Sequence, residues 1–108
     1  MTPSERLQAT YQTQYKASRQ HAYPSIKERK DHLEKLAQII ESNAERICAA
    51  IDKDYGGRST NESMLLEVTP LLGSVTYAKK RLNKWAKPRS RHVGLAFKGA
   101  SNKLIPQP

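Results

Sequence analysis

The sequence predicts an all-α fold: several amphipathic helices, followed by a basic C-terminal linker and a short terminal strand. Three observations lead there. Apolar residues recur at three- and four-residue steps through most of the stretch from Leu7 to Trp85. Helix-start signatures stand at Thr2–Glu5, Ser25–Glu28 and Ser42–Glu45. The stops Pro24, Gly56, Gly57 and Pro88 fall between the periodic runs.

The first helix is expected to begin at Thr2, with Pro3 in the first turn and Glu5 closing a capping box. Leu7, Tyr11, Tyr15 and Ala17 or Ala22 give it an apolar edge. Tyr23-Pro24 interrupts it, because the residue before a proline is pushed out of helical geometry. Ser25 and Glu28 form a second capping box. Ile26, Leu33, Leu36, Ala37, Ile40, Ala44, Ile47, Cys48 and Ile51 then mark one long apolar stripe. The third signature, around Asn43, predicts a break within that stripe.

Gly56-Gly57 supplies the left-handed stop after Tyr55. Ser59 or Thr60 starts the next helix, with Glu62 in its first turn. Met64, Leu65, Val68, Leu71, Leu72, Val75, Ala78, Leu82 and Trp85 carry its stripe. Pro70 lies inside this run and predicts a kink, or a restart capped by Thr69. Pro88 ends the helix. Residues 1–88 therefore read as a helical segment, and residues 89–108 as a basic linker and the start of a strand. That strand, Asn102 to Ile105, alternates weakly, and nothing in the sequence announces a partner for it. Its isolation suggests a truncated end.

The formal charge is +9. Its distribution is informative: the excess lies entirely beyond Glu67, in Lys79, Lys80, Arg81, Lys84, Lys87, Arg89, Arg91, Lys98 and Lys103. Such a run suits a nucleic-acid surface, with Trp85 and Phe97 available for stacking on bases. It equally suits one side of a larger protein whose acidic counterpart lies elsewhere. Trp85 continues an apolar stripe, which favours packing over base stacking, and a nucleic-acid partner is not expected. No apolar run approaches the roughly 18 residues of a membrane span. The N-terminus lacks the apolar core of a signal peptide, and a single cysteine forms no internal disulfide. A cytoplasmic location is the expectation.

Candidate chemistry is sparse. Cys48 lies in ERICAAI among Ile47 and Ile51, where a thiol packs as a small core residue. His21, His32 and His92 have no metal-ligand spacing. Asp52 and Asp54 flank Lys53 at a helix end, where a loop beside Gly56 explains them without acid–base work. Gly94-Leu-Ala-Phe-Lys-Gly99 lacks the Lys-Ser/Thr of a phosphate loop. No catalytic, cofactor-binding or metal residue is assigned.

The order of parts resembles the N-terminal segment of the aldehyde dehydrogenase superfamily, in its coniferyl-aldehyde and fatty-aldehyde branch. The resemblance rests on Pro24, Arg29, Leu33 and Leu36, then Glu41 and Asn43. It continues through Ile47, Ala50, Ile51, Asp54 and Gly56, then Arg58, Ser59, Glu62 and Glu67. Tyr77, Lys80, Leu82, Trp85, Lys87 and Pro88 complete it, with Lys103 to Pro108 resembling a strand before a hairpin. It implies a parent with the α/β aldehyde dehydrogenase fold that oxidises an aldehyde to an acid through a cysteine thiohemiacetal. NAD or NADP would be the cofactor of that parent. The cysteine, the general-base glutamate and the cofactor fold would all lie outside this chain, leaving the segment inactive by itself. The same resemblance makes Leu66 and Pro70 candidates for lining a substrate entrance. The expected partners are the remaining domains of the parent and, in their absence, further copies of the chain.

Overall fold

A computed structural model describes residues 1–108. Five α-helices precede a short β-hairpin: α1 Pro3–Gln20, α2 Ile26–Ser42, α3 Ala44–Tyr55, α4 Thr60–Ser63 and α5 Thr69–Ala86. A π-helical turn, Met64–Val68, joins α4 to α5. The hairpin strands are β1, Arg89–Arg91, and β2, Asn102–Leu104, with a 3₁₀ turn at Leu95–Phe97 between them.

Two helix starts form as their residues dictate. The Thr2 hydroxyl accepts from the Glu5 backbone N–H at 3.2 Å, and Glu5 accepts in return from the Thr2 N–H at 2.6 Å. Ser25 and Glu28 repeat the arrangement at 3.2 and 2.6 Å. Each box satisfies donors that a bare helix end would leave free. At the end of α3, Gly56 adopts φ 70°, the left-handed geometry that a side chain opposes, and Gly57 N–H reaches back to the Asp52 carbonyl at 3.0 Å.

Elsewhere the local signals are answered differently. The break at Asn43 forms, but without a side-chain cap. The Asn43 amide instead donates to the Ile39 carbonyl at 2.8 Å, and its oxygen accepts from Arg46 at 2.8 Å. Ser59 likewise starts α4 with no side-chain hydrogen bond. At Pro70 there is no restart, and Thr69 stays helical at φ −61°, ψ −46°. The Thr69 N–H bonds to the Met64 carbonyl, five residues back. This wider turn lets the chain carry a proline, which lacks a donor and crowds the preceding turn, without leaving the helix.

The terminal strand is also corrected. It pairs antiparallel with β1, matching Arg89 to Leu104, Ser90 to Lys103 and Arg91 to Asn102. The segment read as a linker therefore contains the missing partner. Both strands are three residues long with every residue exposed, Leu104 by 49%, so sequence alternation carries almost no signal there.

The tertiary core is small. Helices α2 and α5 run antiparallel, with Ile40 near Val68 and Leu72 at one end and Glu34 paired with Lys79 further along. Ile40, Cys48 and Val68 form the buried cluster, flanked by Ala44, Ile47, Met64 and Leu72. Val75 and Ser63 complete the set of five buried residues. Helix α1 buries none, and its Leu7, Tyr11 and Tyr15 edge faces solvent.

The chain exposes 9158 Å². A compact protein of its 12.2 kDa would expose about 6,000 Å². Its radius of gyration is 20.5 Å, against about 13 Å for a compact domain of this size. The helices are well formed, but most of their apolar stripes have nothing to cover them.

Candidate functional site

The most organised side-chain cluster surrounds Arg58, at the junction of α3, α4 and the π-turn. Gly56 reverses the chain, and the Asp52 carboxylate accepts from the Arg58 backbone N–H at 2.7 Å, fixing the loop. The Arg58 guanidinium then lies against three elements. Its Nη1 donates to Glu67 Oε1 at 2.9 Å, its Nε is 3.9 Å from Glu62 Oε2, and its carbon lies 5.4 Å from the centre of the Tyr55 ring. Only 15% of the Arg58 side chain is exposed. The Glu67 hydrogen bond is the main influence raising the guanidinium pKa, supported by the charges of Glu67 and Glu62. Arg58, Glu62 and Glu67 belonged to the sequence pattern only as letters in order. Folding converts them into one ion-pair cluster, and the Arg58–Glu62 spacing of four was the available signal.

Leu66 and Pro70, the candidate entrance residues, lie on the π-turn and the first turn of α5. Their four-residue spacing places them about one turn apart on the same side. Both are exposed, Leu66 by 55%. No side chain of the Arg58 cluster is hydrogen-bonded to either.

Cys48 is 1% exposed and packs among apolar neighbours. No cation is paired with it, so it has the setting of a packing residue and not of a nucleophile. His21 Nε2 is 2.9 Å from Glu28 Oε1 and ties the α1–α2 turn to α2. No three His, Cys, Asp or Glu side chains gather to hold a metal. Trp85, expected as a packing anchor, is 43% exposed. It meets Tyr77 edge-on at 5.7 Å, and Arg81 lies 5.5 Å over the same Tyr77 ring. These aromatics and cations are engaged with each other along α5. Absence of a covering layer, not a misread period, explains the exposure.

The parallel strand–turn–helix unit that commonly holds a dinucleotide is not among these elements. Such a group rests on a parallel strand–turn–helix unit with a helix N-terminus at the phosphates. The sheet here is antiparallel, and the Gly94–Gly99 loop runs into β2 instead of a helix.

Helices with well-made ends, a minimal core and a large uncovered apolar surface set this chain apart from a compact domain. The comparisons with known proteins give its family. The chain corresponds to the N-terminal segment of an aldehyde dehydrogenase superfamily member. It is 35% identical over 102 residues to a probable coniferyl aldehyde dehydrogenase of Pseudomonas aeruginosa, covering 94% of this chain and 21% of that protein. It is 33% identical over 84 residues to aldehyde dehydrogenase family 3 member F1 of Arabidopsis thaliana, covering 78% and 17% respectively. A coniferyl aldehyde dehydrogenase of Pseudomonas sp. is 24% identical over 105 residues, covering 97% and 21%. The chain thus spans about a fifth of the length of these curated relatives. No family model and no solved structure matches it. No helix is long and apolar enough to cross a membrane.

Proposed function

We propose that this chain is the non-catalytic N-terminal helical part of an NAD(P)-dependent aldehyde dehydrogenase. The observation that carries the reading is the match over 94% of the chain to a protein described as a coniferyl aldehyde dehydrogenase. The physical state of the chain agrees with it. The thiol is buried, the one sheet is antiparallel, and the chain exposes about 3,000 Å² more surface than a compact chain of its mass.

In this reading the segment contributes position, not reaction steps. The Arg58–Glu67 pair fixes the angle between α3 and the π-turn. That angle sets where Leu66 and Pro70 stand, and these two residues would border the path by which substrate enters. NAD or NADP, bound by the remainder of the enzyme, would accept the hydride from the aldehyde. Bulky aromatic aldehydes of the coniferyl type are the substrates to test first, because the relatives carry that name.

The test has two arms. Aldehyde-dependent reduction of NAD⁺ and NADP⁺ is measured with the 108-residue chain and with a polypeptide of the relatives' length that contains it. The longer polypeptide is expected to turn over and the chain alone to be silent. Turnover by the chain alone would overturn the non-catalytic reading. An inert longer polypeptide, folded but unable to oxidise any aldehyde, would overturn the dehydrogenase reading.

A further inference from the structure

Glu62 and Glu67 are five residues apart, yet both carboxylates converge on one guanidinium. Glu67 Oε1 accepts from Arg58 Nη1 at 2.9 Å, and Glu62 Oε2 lies 3.9 Å from Arg58 Nε. In an α-helix each residue advances by about 100°, so a five-residue step sets two side chains about 140° apart. A continuous α-helix would therefore turn one of the two carboxylates away from Arg58. Three of the four residues between them, Met64, Leu65 and Leu66, belong to the π-turn. Its bond runs from the Thr69 N–H to the Met64 carbonyl, five residues back, so the turn holds one residue more than an α-turn. The extra residue brings Glu67 back toward the side of Glu62.

We propose that Pro70 sets this register, and that the two carboxylates facing Arg58 are its product. This holds whether or not the parent is a dehydrogenase. Within the dehydrogenase reading, it makes Pro70 a positioning residue for the side on which Leu66 stands, and not only a neighbour of it.

Two registers compete for the turn. In the α register the Thr69 N–H would bond the Leu65 carbonyl. Pro70 would then offer no N–H to the Leu66 carbonyl, and its ring would crowd that same group. In the observed register the wider turn relieves the crowding. It leaves the Leu65 carbonyl without a donor from the next turn, because Thr69 is engaged with Met64 and Pro70 has no N–H. Leu65 is exposed, so water can satisfy that carbonyl. An ordinary residue at position 70 reverses the balance. The crowding disappears, and the α register gains two backbone bonds, from Thr69 to Leu65 and from position 70 to Leu66. The ion pair is a weak rival to those bonds, since the Glu67 side chain is half exposed and solvent screens it.

Hydrogen-bond scalar couplings in the nuclear magnetic resonance spectrum of the 108-residue chain identify each acceptor directly. The Thr69 amide is expected to couple to the Met64 carbonyl, and in Pro70→Ala to the Leu65 carbonyl instead. A double-mutant cycle between Arg58 and Glu67 is expected to show coupling with the proline present and none in the Pro70→Ala background. Should Pro70→Ala fold poorly, Pro70→Gln also restores the N–H and gives the same reading. Glu67→Ala leaves the proline in place, and its Thr69 amide is expected to stay on Met64. A Pro70→Ala chain that keeps the Met64 bond, or keeps the Arg58–Glu67 coupling, would overturn the proposal. So would a Glu67→Ala chain whose Thr69 amide moves to Leu65, because the ion pair would then be setting the register.

Discussion

Arg58 Nη1 donates to Glu67 Oε1 at 2.9 Å, across nine residues and two helical elements. With the Asp52 carboxylate holding the Arg58 backbone N–H, this bond joins the end of α3 to the π-turn. Replacing Glu67 with alanine removes the partner of a guanidinium that is mostly covered, and replacing both residues removes the ion and its partner together. The single variant is therefore expected to melt at a lower temperature than the double variant Arg58→Ala/Glu67→Ala. Thermal unfolding of the wild type, both single variants and the double variant gives the coupling directly. Additive effects would show that the pair is not a structural tie.

The core is too small to absorb a cavity. Ile40→Ala removes one of four buried apolar side chains and is expected to cost about 2–5 kcal/mol, enough to unfold a marginal chain. Trp85→Ala, despite the larger side chain, removes a residue that is 43% exposed and meets Tyr77 by its edge. Its expected cost is about 1 kcal/mol. Chemical denaturation of both variants checks the order, which residue size alone would reverse.

Ser63 is fully buried, and its hydroxyl has no hydrogen-bond partner. Its backbone N–H is satisfied by the Ser59 carbonyl at 3.0 Å, so only the side chain is unpaired. Ser63→Ala is expected to stabilise the chain by about 1–2 kcal/mol, combining the removed desolvation cost with the better helix propensity of alanine. A rise in the denaturation midpoint with an unchanged slope would bear this out. A fall would mean that the hydroxyl is engaged.

Cys48 is shut in among Ile40, Val68 and Leu72. A thiol reagent is expected to modify it slowly under native conditions and rapidly in denaturant. Cys48→Ser puts a hydroxyl without a partner in that pocket, at a cost of about 1–3 kcal/mol. Fast native labelling would show that the cluster opens readily.

Acid should loosen the start of α2. The Ser25 hydroxyl and backbone N–H, and then His21, hold the Glu28 carboxyl down to about 2. In the unfolded chain the group has its ordinary value near 4.5, so between these values the unfolded state binds more protons. The contribution of Glu28 is complete above that ordinary value and is lost as pH falls toward 2. Helicity followed by circular dichroism from neutral pH downward should show this loss, and Glu28→Gln should remove its pH dependence from that window.

Much of this fold was legible in the sequence because its signals are local. Thr2 with Glu5, Ser25 with Glu28, and the Gly56 stop each act within a few residues, so composition at those positions fixes the backbone there. The burial of Cys48 was legible too, since it shares a stripe with Ile40 and Ile51. The break at Asn43 was legible as well, but not its chemistry, because the Asn43 side chain bonds the Ile39 carbonyl instead of capping α3. The restart at Pro70 failed because a π-turn relieves a proline as well as a break does.

The sequence by itself determined where most helices begin and end, which stripes are apolar, and which family the order of parts resembles. Only the tertiary structure decided the partners. It paired Arg89–Arg91 with Asn102–Leu104, joined Arg58 to Glu67 and Glu34 to Lys79, and left Trp85, Tyr77 and the whole edge of α1 uncovered. The physical reason is distance along the chain. A cap needs a neighbour three residues away, whereas burial needs a surface brought from far off. For most of these stripes the chain contains no such surface.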